Sequence, residues 1–177
     1  LLLEGPRGVG KRRVATALAQ TLNCLEPVQG DVFQTDACGH CAACSRIGRG
    51  IHPDVLVLEP GDGISTPFVK INDVREIIDA VQYRPFEGHR RVVIIDEGES
   101  AIQIPAQSAL LKTLEEPPSA SVFVLISSRA DVLLSTVLSR CYRLRFGHLS
   151  VEEIVKILMN DHGRTESEAR ALAVDAE

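Results

Sequence analysis

Three glycines and a lysine near the start of the chain form the pattern of a phosphate-binding loop. Gly5, Gly8 and Gly10 precede Lys11; in the pattern G-x-x-x-x-G-K-[ST], backbone N–H groups and the lysine bind phosphates, and the final hydroxyl binds Mg²⁺. Arg12 occupies the position of that hydroxyl. A guanidinium is a fixed cation without an acceptor atom, so Arg12 cannot coordinate Mg²⁺. The loop therefore predicts a nucleotide-site relative in which Mg²⁺ coordination and hydrolysis are impaired.

Two carboxylates follow a run of four apolar residues in the middle of the chain. Asp96 and Glu97 come directly after Val92-Val93-Ile94-Ile95, the pattern of a strand covered on both faces. The preference of helix starts for acids would explain either carboxylate alone, but not both beside a phosphate loop. In an active nucleoside triphosphatase the first acid holds Mg²⁺ and the second orients the attacking water. Asp96 is thus a candidate nucleotide-site residue and Glu97 a relict or weak general base, while ATP or ADP binding stays open.

Four of the five cysteines lie in one short segment. Cys24 is followed by Cys38, Cys41 and Cys44 at intervals of three, and two overlapping C-x-x-C units with a distant fourth thiol match a tetrahedral zinc site. The segment has few apolar residues, so the binding energy of a metal would order it. Four thiolates leave no open coordination position, so this zinc would be structural. The alternatives are free thiols, an iron–sulfur cluster, or His40 in place of one cysteine.

A short polar motif, Ser139-Arg140-Cys141, lies between a predicted helix and a predicted strand. Arg140 fits two interpretations, a local salt bridge or contact with a phosphate bound by a neighbouring subunit, as arginine fingers make. Spacing alone favours the local salt bridge. Cys141 is interpreted as a small buried thiol.

Composition limits the classes of protein. With 177 residues and 45% hydrophobic content, the chain can bury a proper core, which argues against disorder. A net charge of -5 argues against a protein that coats nucleic acid through bulk electrostatics. No apolar run approaches the roughly 20 residues that span a bilayer, and no signal peptide is visible. We therefore expect a soluble intracellular protein, without membrane association, whose cysteines do not form disulfides.

Short β-rich apolar runs alternate with amphipathic stretches, which predicts an α/β fold with a parallel sheet and crossover helices. Five strands are predicted, at 1–4, 54–59, 91–96, 121–127 and 142–146. The apolar stripes of the first two helices are predicted at Val14, Leu18 and Leu22, and at Ile71, Val74, Ile78 and Val81. A third helix follows Pro105 and ends before Pro117, and a fourth spans 131–138.

The domain prediction is one core and the start of a second unit. Residues 1–149 are expected to form the P-loop core, with the cysteine segment inserted at about 23–52 after the first helix. Residues 150–177 begin as a helix and end in an acidic, alanine-rich stretch. The chain also begins at Leu1 rather than at methionine. We therefore expect both ends to be truncated.

Together these motifs resemble a known family. The phosphate loop, the Asp-Glu strand end, the four-cysteine insertion, the run ALLKTLEEPP at 109–118 and Ser139-Arg140-Cys141 are similar to those of the bacterial clamp-loader subunits, AAA+ proteins of the DNA polymerase III holoenzyme. The resemblance covers essentially the whole chain. It implies an AAA+ P-loop core with a five-stranded parallel sheet, the start of a small helical lid, and a cytoplasmic bacterial location.

The resemblance also implies roles for particular residues. Within the family, motor subunits keep the hydroxyl after the loop lysine, whereas subunits of the delta-prime type have a degraded loop; Arg12 and the stretch 83–91 therefore point to the delta-prime type. Such subunits donate the arginine of Ser-Arg-Cys to the ATP site of the adjacent motor subunit, which implies that Arg140 is an arginine finger in trans. Ser127 or Ser128 matches the polar sensor position, without a choice between them.

The function that the resemblance implies is that of a non-motor subunit with little or no ATPase activity of its own. Its partners would be the gamma/tau and delta subunits, and, through the complex, the sliding clamp and primer-template DNA. Stable oligomers in this family depend on a C-terminal collar domain, so the isolated chain is expected to be monomeric.

Two other functions compete with this one. The first is an ATP-hydrolysing motor subunit of the gamma/tau type that uses Lys11, Asp96 and Glu97. The second is a zinc-dependent nucleic-acid module, in which Arg46 and Arg49 beside the cysteines contact DNA. The acidic balance weighs against the second.

Overall fold

The computed structural model describes residues 1–29, 35–59, 71–96 and 104–174. The chain divides into two units, Leu1–Phe146 and Gly147–Glu177. The strands of the first unit are β1 (Leu2–Glu4), β2 (Val55–Leu58), β3 (Arg91–Ile95), β4 (Ser121–Ser127) and β5 (Arg143–Arg145). Its helices are α1 (Lys11–Asn23), α2 (Ala42–Gly48), α3 (Ile71–Val81), α4 (Ile104–Glu115) and α5 (Ser135–Leu138). Among the described residues, no helix is long and apolar enough to cross a bilayer.

The five strands form one parallel sheet in the order β2-β3-β4-β1-β5. This confirms the α/β fold and the five-stranded parallel sheet predicted from the sequence. Because parallel strands point the same way, their carboxyl ends meet at one edge of the sheet. Gly5, Glu59 and Asp96 follow three of these strands and therefore lie along that edge.

Helices cover both faces of the sheet. One face packs against Val74 of α3, Leu110 of α4 and Val137 of α5. The other packs against Ala19 of α1 and Ile47 of α2. All five residues of β3 are buried, as expected for the continuously apolar run in that strand.

The buried face of α1 differs from the predicted stripe. Ala15 and Ala19 are fully buried, whereas Val14 is exposed, and Leu18 and Leu22 are partly buried. The prediction that Val14 belongs to the apolar face is therefore wrong. Methyl side chains one turn apart let the helix axis lie closer to the sheet than branched side chains would. In α3, Val74 and Val81 are buried as predicted, and Ile71 and Ile78 are partly buried and pack against the core. Ile77, which the predicted stripe did not include, is buried as well.

The predicted fourth helix is broken. Ala130–Val132 form a 3-10 turn, α5 begins at Ser135, and Leu133 and Leu134 between them have extended backbones. Leu133 is buried in the core, and the N–H of Leu134 donates to Oε1 of Gln107 at 2.9 Å. The prediction of one continuous helix is wrong because these two interactions hold the link extended.

A buried carboxylate fixes the loop that leads into β3. The side chain of Asp54 has no exposed surface and accepts hydrogen bonds from the N–H groups of Phe86, Glu87 and Gly88 at 2.7 to 2.9 Å. The guanidinium of Arg91 donates to the same carboxylate at 2.9 Å. The entry of β3 is therefore rigidly tied to the start of β2.

The second unit contains α6 (Val151–His162) and α7 (Glu166–Val174). Oγ of Ser150 accepts the N–H of Glu153 at 3.3 Å, and the Glu153 carboxylate accepts the N–H of Ser150 at 2.8 Å. This reciprocal pair is a capping box, which begins α6 at the predicted place. The proposal that this unit is the start of a lid domain stays a prediction.

Candidate functional site

The phosphate loop connects β1 to α1 and depends on glycine at two points. Gly5 has a φ of +146°, and a Cβ there would lie 2.3 Å from the backbone oxygen of Phe146. Gly10 caps α1 in the left-handed conformation, with a φ of 88° and no side-chain cap. The first N–H groups of α1 are therefore presented beside the loop, as in helix N-termini that bind anions.

Lys11 is buried at the first position of α1. Its Nζ donates to the backbone oxygen of Gly5 at 2.6 Å and to that of Pro6. These bonds hold the ammonium group inside the loop. A cleft of about 350 Å³ opens above it, a size within the range of small-molecule sites. Its lining includes Arg7, Gly8, Lys11, Arg12, Asp96 and Ser128.

Arg12 bridges two carboxylates at the edge of the sheet. Its guanidinium pairs with Glu59, and Nη1 lies 3.3 Å from Oδ2 of Asp96. Glu59 and Asp96 meet because they follow neighbouring strands whose last residues, Leu58 and Ile95, are paired. The hydrogen bond between Arg12 and Glu59 is the largest cause of a raised pKa for Arg12 and of a lowered pKa for Glu59. Both groups are therefore charged at neutral pH.

The Mg²⁺ ion of other phosphate loops does not fit the residues present. The hydroxyl position carries a guanidinium, which has no acceptor atom. That guanidinium also contacts Asp96, the acid that would serve the ion. A divalent cation at this point would have to displace a fixed positive charge.

The two candidate sensor serines have different surroundings. Ser127 is fully buried; its Oγ accepts the N–H of Arg129 at 3.1 Å, and its backbone oxygen accepts the N–H of Gly5 at 3.2 Å. Ser128 lines the cleft. Ser128 is therefore the serine that a bound ligand would meet, and its sensor role stays a prediction. Glu97, the predicted base, lies outside the described residues.

Arg140 follows α5 and contacts the end of α4. Its guanidinium pairs with Glu115 and donates to the backbone oxygen of Thr136 at 2.7 Å. The side chain is 31% exposed. The local salt bridge that spacing favoured is thus present, and the role of Arg140 in trans stays a prediction. Cys141 packs against the core, and burial raises the pKa of its thiol.

The four cysteine sulfurs converge although Cys24 lies 14 positions before Cys38. The Sγ atoms of Cys24, Cys38, Cys41 and Cys44 lie within 4.8 Å of one another, and those of Cys24 and Cys41 are 4.0 Å apart. Zn–S bonds of about 2.3 Å place tetrahedral sulfurs about 3.8 Å apart, so the cluster fits zinc with small adjustments. His40 is exposed, with Nδ1 2.8 Å from the backbone oxygen of Cys38. The four sulfurs therefore form a complete set without the imidazole.

Backbone N–H groups donate to the sulfurs. The N–H of Cys38 lies 3.3 Å from Sγ of Cys24, and the N–H of Cys41 lies 3.3 Å from Sγ of Cys38. The N–H of Cys44 lies 3.5 Å from Sγ of Cys41. Hydrogen bonds from Cys44 and then Leu25 lower the pKa of the Cys41 thiol, whereas burial raises the pKa of Cys44. N–H donors of this kind favour thiolates, the form that binds a metal.

The inserted segment is attached to the core by α2. Ile47 packs against α1 and the sheet, and Nε2 of Gln20 donates to the backbone oxygen of Cys44 at 2.9 Å. Arg46 pairs with Glu87 at 2.9 Å, so this member of the suggested DNA-contacting pair is engaged within the protein.

Sequence reasoning missed Glu59 and Glu115, the partners of the two arginines. A signal existed for each. Glu59 is the last residue of the predicted strand 54–59, as Asp96 is of the predicted strand 91–96, and Glu115 belongs to the run at 109–118 that carried the resemblance.

Comparison with known proteins identifies the family of this chain. Residues 1–150 match the family model described as DNA polymerase III, delta subunit. The chain belongs to the clamp-loader subunit family of bacterial DNA polymerase III. The resemblance stated from the sequence is thereby confirmed at the level of the family.

Relatives of this clamp-loader chain include both subunit types. It is 39% identical over 140 residues to the delta' subunit of Pseudomonas aeruginosa, covering 79% of this chain and 40% of that protein. It is 37% identical over 157 residues to the gamma subunit of Buchnera aphidicola, covering 89% and 40%. The chain thus spans 40% of the length of these relatives, and their identities do not separate delta' from gamma.

Solved structures agree with the clamp-loader fold. A gamma subunit-related protein of Thermotoga maritima has 27% sequence identity and a TM-score of 0.61, covering 97% of this chain and 52% of the other. A mutant of RuvB from Thermotoga maritima has 18% identity and a TM-score of 0.55, covering 97% and 47%. The RuvB similarity concerns the AAA+ fold alone.

Proposed function

We propose that this chain is a non-motor clamp-loader subunit of the delta-prime type. It completes the ATP site of a neighbouring gamma/tau subunit with Arg140 while the complex, which also contains delta, loads the sliding clamp onto primed DNA. The chain itself hydrolyses little or no ATP, and its four-cysteine cluster holds a structural zinc ion.

The observation that carries the proposal is the contact between Arg12 and Asp96. A motor subunit needs the strand-end acid and the loop hydroxyl for Mg²⁺. Here the hydroxyl is replaced, and the replacing guanidinium lies 3.3 Å from the acid. The loop keeps its glycines and Lys11, which bind phosphate, but loses the arrangement that activates it. The site therefore keeps the groups that bind phosphate but lacks the groups that support ATP hydrolysis.

Arg140 supports the second half of the proposal. It lies two residues after the end of α5, and its side chain is 31% exposed. A guanidinium matches phosphate oxygens with parallel N–H donors, and it stays charged at any working pH. Its partner Glu115 is itself about half exposed, so the pair can open at small cost.

The zinc site supports the proposal as a scaffold rather than as chemistry. Four sulfur ligands occupy all coordination positions of a tetrahedral zinc ion and leave none for a substrate. The cluster holds α2, and α2 packs on α1, the helix that begins at the phosphate loop. The ion would therefore stabilise the loop's surroundings without taking part in a reaction.

A motor subunit of the gamma/tau type is the alternative that specific observations favour. Lys11 and Asp96 are retained beside a cleft large enough for a nucleotide's phosphates, and a gamma subunit is among the relatives. This alternative requires that Arg12 move away from Asp96 when ATP and Mg²⁺ enter. It predicts that ATP turnover depends on Lys11 of this chain.

A reciprocal pair of substitutions in the full-length protein separates the two functions. The protein is reconstituted with gamma or tau, delta, sliding clamp and primed DNA, and ATP turnover is measured. Under the proposal, Lys11→Ala leaves turnover within about twofold of wild type, whereas Arg140→Ala lowers it. If Lys11→Ala abolishes ATP turnover and Arg140→Ala does not lower it, the motor alternative is established instead.

A further inference from the structure

Arg12 stands at the sequence position of the Mg²⁺-binding hydroxyl of other phosphate loops, and it contacts the strand-end acid Asp96. Glu59 and Asp96 end neighbouring strands, and both carboxylates contact the guanidinium of Arg12. In loops with a hydroxyl at this position, the hydroxyl and the strand-end acid serve Mg²⁺. The positive charge at this point is here supplied by a side chain.

The guanidinium acts as a fixed charge with a surface available to a ligand. Arg12 stands in the first turn of α1, and its two carboxylate partners hold it against the sheet edge. Its side chain remains 53% exposed, and it lines the cleft. A guanidinium has five N–H donors, more than two carboxylate contacts occupy. Remaining donors match the oxygens of a phosphate.

The described residues that line the cleft carry an excess of positive charge. Among the described residues that line it, Arg7, Lys11 and Arg12 are cationic and Asp96 is anionic. A free nucleoside diphosphate or triphosphate carries more negative charge than its Mg²⁺ complex, so this lining favours the free form. Mg²⁺ arriving with the nucleotide would meet the guanidinium beside Asp96 and be repelled.

We propose that Arg12 replaces the divalent cation and that the cleft binds a nucleoside diphosphate or triphosphate in its metal-free form. Arg12 is then the residue that sets the cation requirement of the site. The nucleotide is held as a structural ligand and is not activated for hydrolysis. This inference concerns the chain's own cleft and goes beyond the action of Arg140 on a neighbour, so either can fail without the other.

Calorimetric titration of the full-length protein with ADP, without partner subunits, tests the proposal. One titration contains EDTA and the other contains excess MgCl₂. The expected result is that ADP binds in EDTA at least as tightly as in MgCl₂. Binding that Mg²⁺ strengthens by more than about threefold would overturn the proposal, because an aqueous cation would then be supplying the missing charge. Absence of ADP binding under both conditions would overturn it as well.

Substitutions at position 12 give the matched comparison. Arg12→Thr restores the hydroxyl, so ADP affinity in EDTA should fall about tenfold or more, and Mg²⁺ should now increase it. Arg12→Gln keeps a hydrogen-bonding group without the charge and should show the same loss in EDTA. Arg13→Thr, the exposed neighbour on the same helix, should stay within about twofold of wild type. An Arg12→Thr protein with the cation dependence of wild type would contradict the proposal.

Mn²⁺ provides a second readout that does not depend on affinity. Electron paramagnetic resonance detects Mn²⁺ bound with ADP to Arg12→Thr, and it should detect no such complex with the wild-type protein. A wild-type complex of Mn²⁺ and ADP of equal strength would show that the guanidinium does not exclude the ion. Far-ultraviolet circular dichroism confirms that each variant is folded before the comparison is made.

Discussion

The guanidinium of Arg140 is held by the carboxylate of Glu115, 25 positions earlier in the chain. While this ion pair is closed, the Glu115 carboxylate competes with any phosphate for the guanidinium of Arg140. Glu115 ends α4 and is 48% exposed, and Arg140 is 31% exposed. The pair is therefore a surface contact that solvent and salt weaken. It makes the proposed finger a group with two alternative partners, one in cis and one in trans.

Glu115→Gln should release Arg140 towards its partner in trans. An exposed ion pair stabilises by about 0.2 to 1 kcal/mol, so its loss should raise the DNA-independent ATP turnover of the reconstituted complex by about 1.5- to 5-fold. The measurement is steady-state phosphate release at low ionic strength. The gain should shrink at high salt, because salt already screens the pair in the wild-type protein.

The control for this substitution is Glu116→Gln, which removes the next charge along the chain. Glu116 is exposed and follows the last residue of α4. It should leave turnover unchanged. If Glu115→Gln instead lowers turnover about tenfold or more, Glu115 orients Arg140 for its partner and does not restrain it.

Cys44→Ser should remove the metal and loosen the insertion. Cys44 is fully buried within the sulfur cluster. Serine replaces a thiolate ligand with a hydroxyl, and the buried site has no room for another ligand. We expect a zinc content near one ion per chain in the wild-type protein and near none in the variant. We also expect a free energy of unfolding lower by about 2 kcal/mol or more, measured in urea.

Cys141→Ser is the matched control, because Cys141 is a partly buried cysteine outside the cluster. It should keep the zinc content of wild type. Hydrogen exchange adds a local test: chelation should expose the amides of α2 before those of β3, which is buried throughout. Retention of zinc by Cys44→Ser would contradict the four-sulfur assignment.

Asp54→Asn should destabilise the protein and flatten its response to acid. Burial raises the pKa of Asp54, but the N–H groups of Glu87, Gly88 and Phe86 and the guanidinium of Arg91 outweigh it, so the pKa falls to about 2. An asparagine keeps the shape but leaves the buried Arg91 charge without its carboxylate partner. At pH 7 the expected loss is about 3 to 5 kcal/mol of unfolding free energy.

The sign of the pH effect follows from the lowered pKa. The folded value of about 2 lies below the unfolded value of about 3.9. The stabilisation from ionised Asp54 is therefore complete above about pH 4 and is lost as the pH falls towards 2. Urea unfolding between these pH values should show a difference between wild type and Asp54→Asn that narrows by about 2 kcal/mol. A difference in unfolding free energy that does not change with pH would exclude the ionisation of Asp54 as the cause of the acid response.

Gly5→Ala should disrupt the start of the phosphate loop. Its Cβ would lie 2.3 Å from the backbone oxygen of Phe146, at a φ of +146°. Backbone cannot move as freely as a side chain, so we expect a loss of about 2 to 4 kcal/mol. Gly8→Ala is the comparison: its φ is +81°, but no described residue beyond its chain neighbours lies within 4 Å of the added Cβ, so about 1 kcal/mol is expected. Equal unfolding free energies for the two variants would contradict the close approach.

Local patterns were enough to predict the sheet, the phosphate loop and the cysteine cluster. The apolar run of β3 predicts a strand covered on both faces, and the structure buries all of it. The spacing from Gly5 to Lys11 predicts a loop between a strand and a helix, and that is where it lies. These features depend on residues close together in the sequence, which periodicity and spacing describe.

Partners from distant parts of the chain could not be predicted in the same way. Glu59 lies 47 positions from Arg12, and their contact depends on β2 being the neighbour of β3. The break at Leu133 likewise depends on Gln107 of α4. Val14 was assigned to the buried face for a related reason. The rotation of α1 about its axis depends on Ala15 and Ala19, which allow the helix to approach the sheet closely. The pattern of apolar residues does not specify the order of the strands or the distance between a helix and the sheet.

The central claim is that Arg140 acts on ATP bound by a neighbouring subunit. The most direct measurement uses a reconstituted complex in which the loop lysine is replaced in every motor subunit except the one beside this chain. Only one site can then hydrolyse ATP. Single-turnover rates with clamp and primed DNA are compared for wild type, Arg140→Ala and the control Arg129→Ala, an exposed arginine after β4.

The account predicts that Arg140→Ala lowers the rate at this single site by about 10³-fold or more, the loss expected for an arginine finger. It predicts a change of less than about twofold for Arg129→Ala. A complex that assembles normally with Arg140→Ala and keeps the wild-type rate would contradict the account.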